Sequence, residues 1–354
     1  MDFNILSDKI SNHYLKKLPF VIYSKPNSNK LSTLLQKNDF LYKIEDLNQS
    51  GFILSPFNYQ NSCCFIPERE SEIYVSDFFK KTFTAEATSV SYEEDEEASY
   101  IKLLEDTIEA IKNDLASKIV ISRPKNLKLQ SFSIDKLLKR LFSAYPTAFR
   151  YIWYHPRTGL WCGATPETLV SLDNAIFTTM ALAGTQAYIS DESVTWRPKE
   201  LDEQQQVTNM ILDKLKPVTS SLEVSKTYTH RAGSLLHLRT DITGKLNDNT
   251  TLTTVASALH PTPAVGGNPK EIAQKFILEN EGYNREFYTG FFGPVFNNGT
   301  SANLMVNLRC MKIEDDVARI FVGGGITLES NPKEEWQETQ NKMQTMLQVL
   351  QPML

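Results

Sequence analysis

Apolar residues change their repeat several times along this chain, and each change marks an element. Between Ser99 and Leu115 the positions Ile101, Leu104, Ile108, Ile111 and Leu115 recur at helical spacing. KIVISRP, opening at Lys118, then switches to the unbroken apolar run of a buried strand over 118–123. Further on, AFRYIWYHP, LWCGATPETLVSL and AIFTTMALAGT are separated only by the turns PRTG and DN, connections short enough to require antiparallel neighbours. The arrangement returns near the C-terminus, where YTGFFGPVF, ANLMVNLRCMKIE and VARIFVGGGI are joined by NNGT and DD and predict a three-stranded meander. Helices are predicted at about 198–216, 251–259, 269–281 and 332–350. In residues 1 to about 85 only PFVIYSK (Pro19 to Lys25) and GFILSPF (Gly51 to Phe57) read as strands, amid polar loops, and EATSVSYEEDEEASY reads as an acidic surface linker. This order predicts an α+β fold, an antiparallel sheet with segregated helices. Each of the two strand blocks ends in a Gly turn and an acidic helix starting near Pro198–Glu200 or Pro332–Glu334, which outlines a pseudo-repeat.

Composition narrows the function classes. The 354 residues are enough for a large core, as one large domain or two ordinary ones. A net charge of -5 without any basic tract argues against nucleic acid or an anionic membrane surface as partner, so an anionic ligand must be held by a local site. The start, MDFNILSDKISNHYLKKLPF, lacks the charged-then-apolar pattern of a signal peptide. No run approaches the roughly 18 apolar residues of a membrane span, and a cytoplasmic protein is expected. Cys63, Cys64, Cys162 and Cys310 form no CxxC pair and no zinc-type spacing with histidine, which reads as reduced structural thiols.

The candidate chemistry begins with two acidic pairs, Glu200-x-x-Glu203 and Glu335-x-x-Glu338. Residues three apart share a helix face, and the first face continues as Val207, Met210 and Ile211, the side expected to be buried. In the second helix Lys342 follows Glu338 at i+4, beside an apolar stripe of Trp336, Met343, Met346, Leu347 and Leu350. Four acids gathered in one place need a cation; acids at two solvated helix starts do not. A strand end runs into Gly323-Gly324-Gly325, whose bare amides suit a close approach to an anion, and Asn331, Pro332 and Glu334 give a capping-box-like helix start. Arg309 sits in LMVNLRC, read as an apolar strand, where a carboxylate partner is expected. Lys118 becomes a general base if it is buried near other cations, and Glu167, after a Gly-Ala-Thr-Pro turn, becomes a proton donor if its pocket is semi-apolar. His237 and His260 read as satisfied core or turn histidines. The residues thus outline a Mg²⁺-type acidic site, an Arg/Gly anion site and a Lys/Glu acid-base pair, without naming a substrate.

From about Lys118 to Leu350 the chain resembles the chorismate-utilising enzymes: isochorismate synthase, salicylate synthase, and the large components of anthranilate and aminodeoxychorismate synthases. The resemblance rests on SKIVISR, GATPETL, ALAGT, PKELDEQ, HLRTDITGKL, LHPTPAVGG, EGYNREFYTGFFG, VNLRC and VGGGITLESNPKEEWQETQNK, in family order. It implies a large antiparallel β-sheet core flanked by helices, of the anthranilate synthase component I type, with residues 96–354 as the chorismate-binding catalytic region and 1–95 a weakly matched part of the same domain. It also implies Glu203 and Glu338 as direct Mg²⁺ ligands, with Glu200 and Glu335 beside them or acting through water, and the metal gripping the ring carboxylate of chorismate. Arg309 and the amides of Gly323, Gly324 and Gly325 would hold the enolpyruvyl carboxylate, with Tyr288 and Lys342 nearby, while Gly184, His237, Ala264 and Val265 line the ring.

Ammonia-using anthranilate synthases carry glutamine where Lys118 stands, and aminodeoxychorismate synthases carry a nucleophilic lysine where this chain has Ala183. The resemblance therefore implies an isochorismate synthase, in which Lys118 activates water for attack at C2 while Glu167 protonates the departing C4 hydroxyl, serving menaquinone or siderophore synthesis. The alternatives are salicylate synthase, which adds pyruvate elimination, and a non-catalytic partner subunit of the same fold. No glutaminase subunit is expected, and the chain is expected to be a monomer or weak homodimer. One departure stands out: Gln204 replaces a histidine that many relatives carry after the metal glutamate.

Overall fold

In the computed structural model, which describes residues 1–59, 62–78, 94–188, 194–232 and 235–354, the strands divide between two wholly antiparallel sheets. The nine-stranded sheet runs Gly267–Asn268, Lys118–Lys128, Val317–Ile326, Cys310–Glu314, Gly159–Thr165, Phe149–His155, Phe20–Ser24, Lys30–Gln36, Ser71–Asp77. The ten-stranded sheet runs Thr219–Val224, Leu235–Leu246, Ile176–Ala187, Thr168–Asp173, Ser301–Val306, Phe291–Phe296, Gly51–Ser55, Cys63–Pro67, Tyr42–Ile44, and Tyr228–Ala232 also pairs with Leu235–Leu246.

The sheets face each other across an aromatic layer. Tyr23, Phe149, Tyr151, Trp153 and Trp161 come from one sheet, and Phe52, Phe292 and Met305 from the other. The rings of Tyr151 and Phe292 lie 4.1 Å apart, centroid to centroid. The outer face of the nine-stranded sheet buries Ile152, Leu160 and Met311 against helices Phe3–Leu15, Ile134–Ala144 and Pro332–Leu350. Helices Pro198–Leu215 and Leu252–Leu259 cover the outer face of the other sheet through Val207, Ile211 and Val255. A strand covered on both faces is buried at every position rather than at alternate ones, as Phe20–Ser24 and Phe149–His155 are, with buried Arg150 donating to Ser24 Oγ and to the Phe142 carbonyl. The architecture is the expected α+β fold with large antiparallel sheets. No helix among the described residues is long and apolar enough to cross a membrane.

Several expectations need correction. LWCGATPETLVSL is not one strand: Gly159–Thr165 lies in one sheet and Thr168–Asp173 in the other. Pro166, without an N–H, cannot continue the ladder. ANLMVNLRCMKIE likewise divides into Ser301–Val306 and Cys310–Glu314, so the C-terminal block is two hairpins, one in each sheet, and not a three-stranded meander. The region before residue 79 holds a helix and six strands, three for each sheet, where two strands amid loops were expected. The acidic stretch read as a linker lies outside the described residues up to 93, and from Glu94 it is the opening of helix Glu94–Lys112. Asp95, Glu96 and Glu97 follow in its first turn, at the positive end of the helix dipole. Helix Ile134–Ala144, capped by Ser133, was not anticipated. The pseudo-repeat has a structural counterpart, because each block places one hairpin in each sheet and then enters a helix with Pro at its first position.

Candidate active site

Strands Lys118–Lys128 and Val317–Ile326 pair along their length, with Gly323 opposite Ser122, Gly324 opposite Ile121 and Gly325 opposite Val120. The three glycines are therefore ladder residues. Their bareness makes room: a Cβ on Gly325 would stand 2.6 Å from Lys118 Cε, and one on Gly324 2.7 Å from Glu335 Oε2. Lys118 so admitted donates from Nζ to Glu203 Oε1 at 2.6 Å. The cluster of other cations that would favour a neutral lysine is replaced by a carboxylate neighbour.

Helix Pro198–Leu215 starts at Arg197, whose backbone N–H donates to Glu200 Oε2 at 3.0 Å and whose guanidinium grips Glu200 Oε1. These contacts hold the buried Glu200 carboxyl below the ordinary range. Helix Pro332–Leu350 starts under an Asn331 cap that accepts from the N–H groups of Lys333 and Glu334. On its first turns Glu335 Oε1 accepts from Ser330 Oγ at 2.9 Å, and Glu338 pairs with Lys342 at 2.5 Å. The Lys342 charge lowers the Glu338 pKa, and Lys342 Nζ also donates to the Gly323 carbonyl at 2.8 Å.

Glu167 and Arg309 occupy two of the points where the chain changes sheets. The points are neighbours: Val306 N–H donates to the Glu167 carbonyl at 3.0 Å, Ala164 N–H to the Arg309 carbonyl at 3.1 Å, and Thr165 Oγ1 to the Val306 carbonyl at 2.7 Å. Arg309 is thus a crossover residue with φ of 46° and not part of a strand, and its guanidinium reaches Thr345 Oγ1 at 3.4 Å, with Glu338 acting on it electrostatically. The Glu167 side chain is 6% exposed. Burial raises its pKa from 4.5 to about 7, against the opposing pull of the Thr262 hydroxyl at 3.4 Å and the Lys118 charge. His237 Nδ1–H donates to the Gly184 carbonyl at 2.9 Å, and burial pushes its pKa down to about 4, so the ring is neutral at pH 7. His260 is a satisfied core histidine against the Phe57 carbonyl.

All of the residues singled out for chemistry line one cleft of about 330 Å³: Lys118, Glu167, Gly184, Glu200, Glu203, His237, Ala264, Val265, Tyr288, Arg309, Gly323, Gly324, Gly325, Glu335, Glu338 and Lys342. Sequence reasoning passed over Arg197, which clamps Glu200, and Thr262, which touches Glu167; the Arg-Pro step before PKEL and the LHPTP motif were the available signals. As a donor set, four carboxylates at one cleft suit a hard divalent cation such as Mg²⁺, and the space that Gly324 leaves for Glu335 fits such a cradle. Among the described residues no three acids already converge to metal distance. Lys118, Arg197, Ser330 and Lys342 each hold one of the four. The cleft combines anion-binding cations, metal-type acids, and a proton donor that is charged and uncharged in comparable amounts near pH 7.

That combination on this fold has a counterpart in a defined class, and the chain belongs to the chorismate binding enzyme family, whose model matches residues 60–351. Among curated relatives it is 32% identical over 243 residues to the isochorismate synthase EntC of Escherichia coli, covering 66% of this chain and 62% of that protein. It is 30% identical over 293 residues to the isochorismate synthase MenF of Bacillus subtilis, covering 79% and 60%. Its match thus spans somewhat less than two thirds of the length of these relatives. The crystal structure of a 2,3-dihydroxybenzoate-specific isochorismate synthase, DhbC, from Bacillus anthracis superposes with a TM-score of 0.80 at 26% identity, over 98% of this chain and 99% of that one.

Proposed function

We propose that the protein is a Mg²⁺-dependent isochorismate synthase, converting chorismate to isochorismate for menaquinone or siderophore synthesis. One observation carries the reading: a buried carboxyl with a pKa of about 7, Glu167, shares its cleft with Lys118 and four glutamates. Acid and base with separated demands in one site are the pattern of proton-transfer catalysis. Residues 96–354 supply this site and residues 1–95 complete its scaffold.

Glu203 and Glu338 would hold Mg²⁺ directly, with Glu200 and Glu335 beside them, and the ion would supply a grip on the ring carboxylate. Arg309 and Lys342 offer charge for the enolpyruvyl carboxylate. Lys118, released from Glu203 and with its Nζ as the free amine, takes a proton from water, and the water oxygen bonds to C2. The ring double bonds shift and the C4–O bond breaks. Glu167, protonated, donates to the leaving hydroxyl. One water is consumed and one released, so the net reaction is an isomerisation.

The test is incubation of the protein with chorismate and Mg²⁺, with and without ammonium, followed by chromatographic identification of products. Isochorismate without pyruvate supports the reading. Salicylate with pyruvate would make the protein a salicylate synthase, anthranilate would overturn the role of Lys118, and no turnover would make it a binding subunit.

A further inference from the structure

Beneath the cleft, outside its lining, lies an ion pair that none of the chemistry above uses. Arg285 and Glu281, four residues apart in the loop that follows helix Lys270–Asn280, have side chains 2% and 1% exposed. Arg285 satisfies all five of its N–H donors: Nε with Glu281 Oε2 at 2.7 Å, Nη1 with the Val265 carbonyl and Thr289 Oγ1, both at 3.1 Å, and Nη2 with the Val120 carbonyl at 2.7 Å and Glu281 Oε1 at 2.5 Å. Its guanidinium also stacks on Phe57, 4.4 Å from the ring centroid. Glu281 Oε1 accepts further from the N–H and hydroxyl of Ser122 at 2.7 and 2.8 Å.

The two carbonyls are what give the pair a bearing on catalysis. Val120 is two residues beyond Lys118 on the same strand. Val265 lines the cleft and ends the turn that starts at Thr262, whose carbonyl accepts from the Val265 and Gly266 N–H groups and whose hydroxyl touches Glu167. The same turn leads into Gly267–Asn268, paired with Ile119 and Lys118. At Gly267, φ is 130° and an added Cβ would meet the Lys118 carbonyl at 2.3 Å, so the backbones are in direct contact.

We propose that Arg285, held by Glu281, is a positioning residue that fixes the Lys118 strand and the Thr262–Val265 turn to one another, and so sets the base and the acid in register across the bound ring. A buried ion pair is a weak device for stability, since desolvation offsets most of its attraction. A planar fork with five fixed donors is instead a rigid connector between two backbones, which lysine, with three donors on a flexible stem, does not reproduce. The proposal rests on the isochorismate synthase reading for its kinetic test and on geometry alone for its structural one.

The test is Arg285→Lys, measured beside the unaltered protein for kcat, KM, melting temperature and amide hydrogen exchange. We expect kcat to fall by about 100-fold, the penalty typical of roughly 1 Å misplacement of reacting groups, while KM changes by less than about threefold. Exchange should quicken in peptides covering 118–122 and 262–268 and stay unchanged elsewhere. A folded variant with kcat within about threefold of the parent overturns the proposal, as does faster exchange spread evenly over the molecule, which marks a merely structural pair. Should Arg285→Lys not fold, the paired replacement Glu281→Leu with Arg285→Met, which leaves no buried charge, is measured in the same way. Failure of both to fold overturns the proposal by making the pair a condition of folding. If the unaltered protein forms no isochorismate, the functional reading fails by itself, and the exchange pattern still decides whether Arg285 joins the two segments.

Discussion

Glu167→Gln should stabilise this protein at alkaline pH while removing its activity. An ordinary glutamate releases its proton near pH 4.5, whereas folded Glu167 keeps it to about pH 7. Between those values the folded chain carries a proton that the unfolded chain has lost, so stability falls as pH rises through this window and the loss is complete above about pH 7. The difference of about 2.5 pH units corresponds to roughly 3 kcal/mol at 1.36 kcal/mol per unit. Glutamine has nearly the same shape and carries no charge at any pH, so the variant escapes this penalty. In thermal melts at pH 5 and pH 8, its advantage over the parent should grow by about 2.5 kcal/mol, most of the window lying between those values. With an unfolding entropy of about 2.1 cal/mol/K per residue over 354 residues, that is a further 3 to 4 °C in Tm. Turnover of chorismate should meanwhile fall by about 10² to 10⁴, the usual contribution of a positioned proton donor. In the parent, kcat/KM should decline as pH rises through about 7, where Glu167 loses its proton. An advantage that is equal at the two pH values would refute the reasoning, because it would mean that Glu167 is ionised in the folded protein.

Lys118→Ala should abolish water addition and leave chorismate binding, followed by calorimetry in the presence of Mg²⁺, within about tenfold of the parent; turnover like the parent's would remove the lysine from the mechanism. Gly325→Ala should lower kcat without loss of the sheet, because its Cβ would stand 2.6 Å from Lys118 Cε and push the lysine aside. Unchanged kinetics in a folded Gly325→Ala protein would show that the cleft tolerates a displaced Lys118.

Much of the fold could be read where a local signal and tertiary packing agree. Helix Pro332–Leu350 was placed to the residue because an Asn cap, a Pro at the first position and an apolar stripe coincide there. The sheet changes at Pro166–Glu167 and Asn307–Arg309 were hidden by the buried apolar runs on either side of them, and Pro166 and the polar residues Glu167, Asn307 and Arg309 were the signals that a break was there. Strand Thr219–Val224 was missed for the opposite reason, since it is an exposed edge strand with no apolar alternation. The candidate site residues were legible through motifs, and spacing alone gave only the shared faces of the glutamate pairs. Pairings between residues far apart in the chain, such as Lys118 with Glu203, depend on which strands and helices become neighbours, and no local pattern encodes that.

In the proposed reaction Lys118 and Glu167 work as base and acid in adding water to one ring carbon while a hydroxyl leaves another. The most direct measurement is turnover of chorismate in H₂¹⁸O with Mg²⁺, with mass spectrometry of the product. The product should be isochorismate carrying one ¹⁸O, at the C2 hydroxyl, with no incorporation by Glu167→Gln or Lys118→Ala. Isochorismate without label would mean that the original hydroxyl had migrated within the ring, and would contradict the proposed reaction.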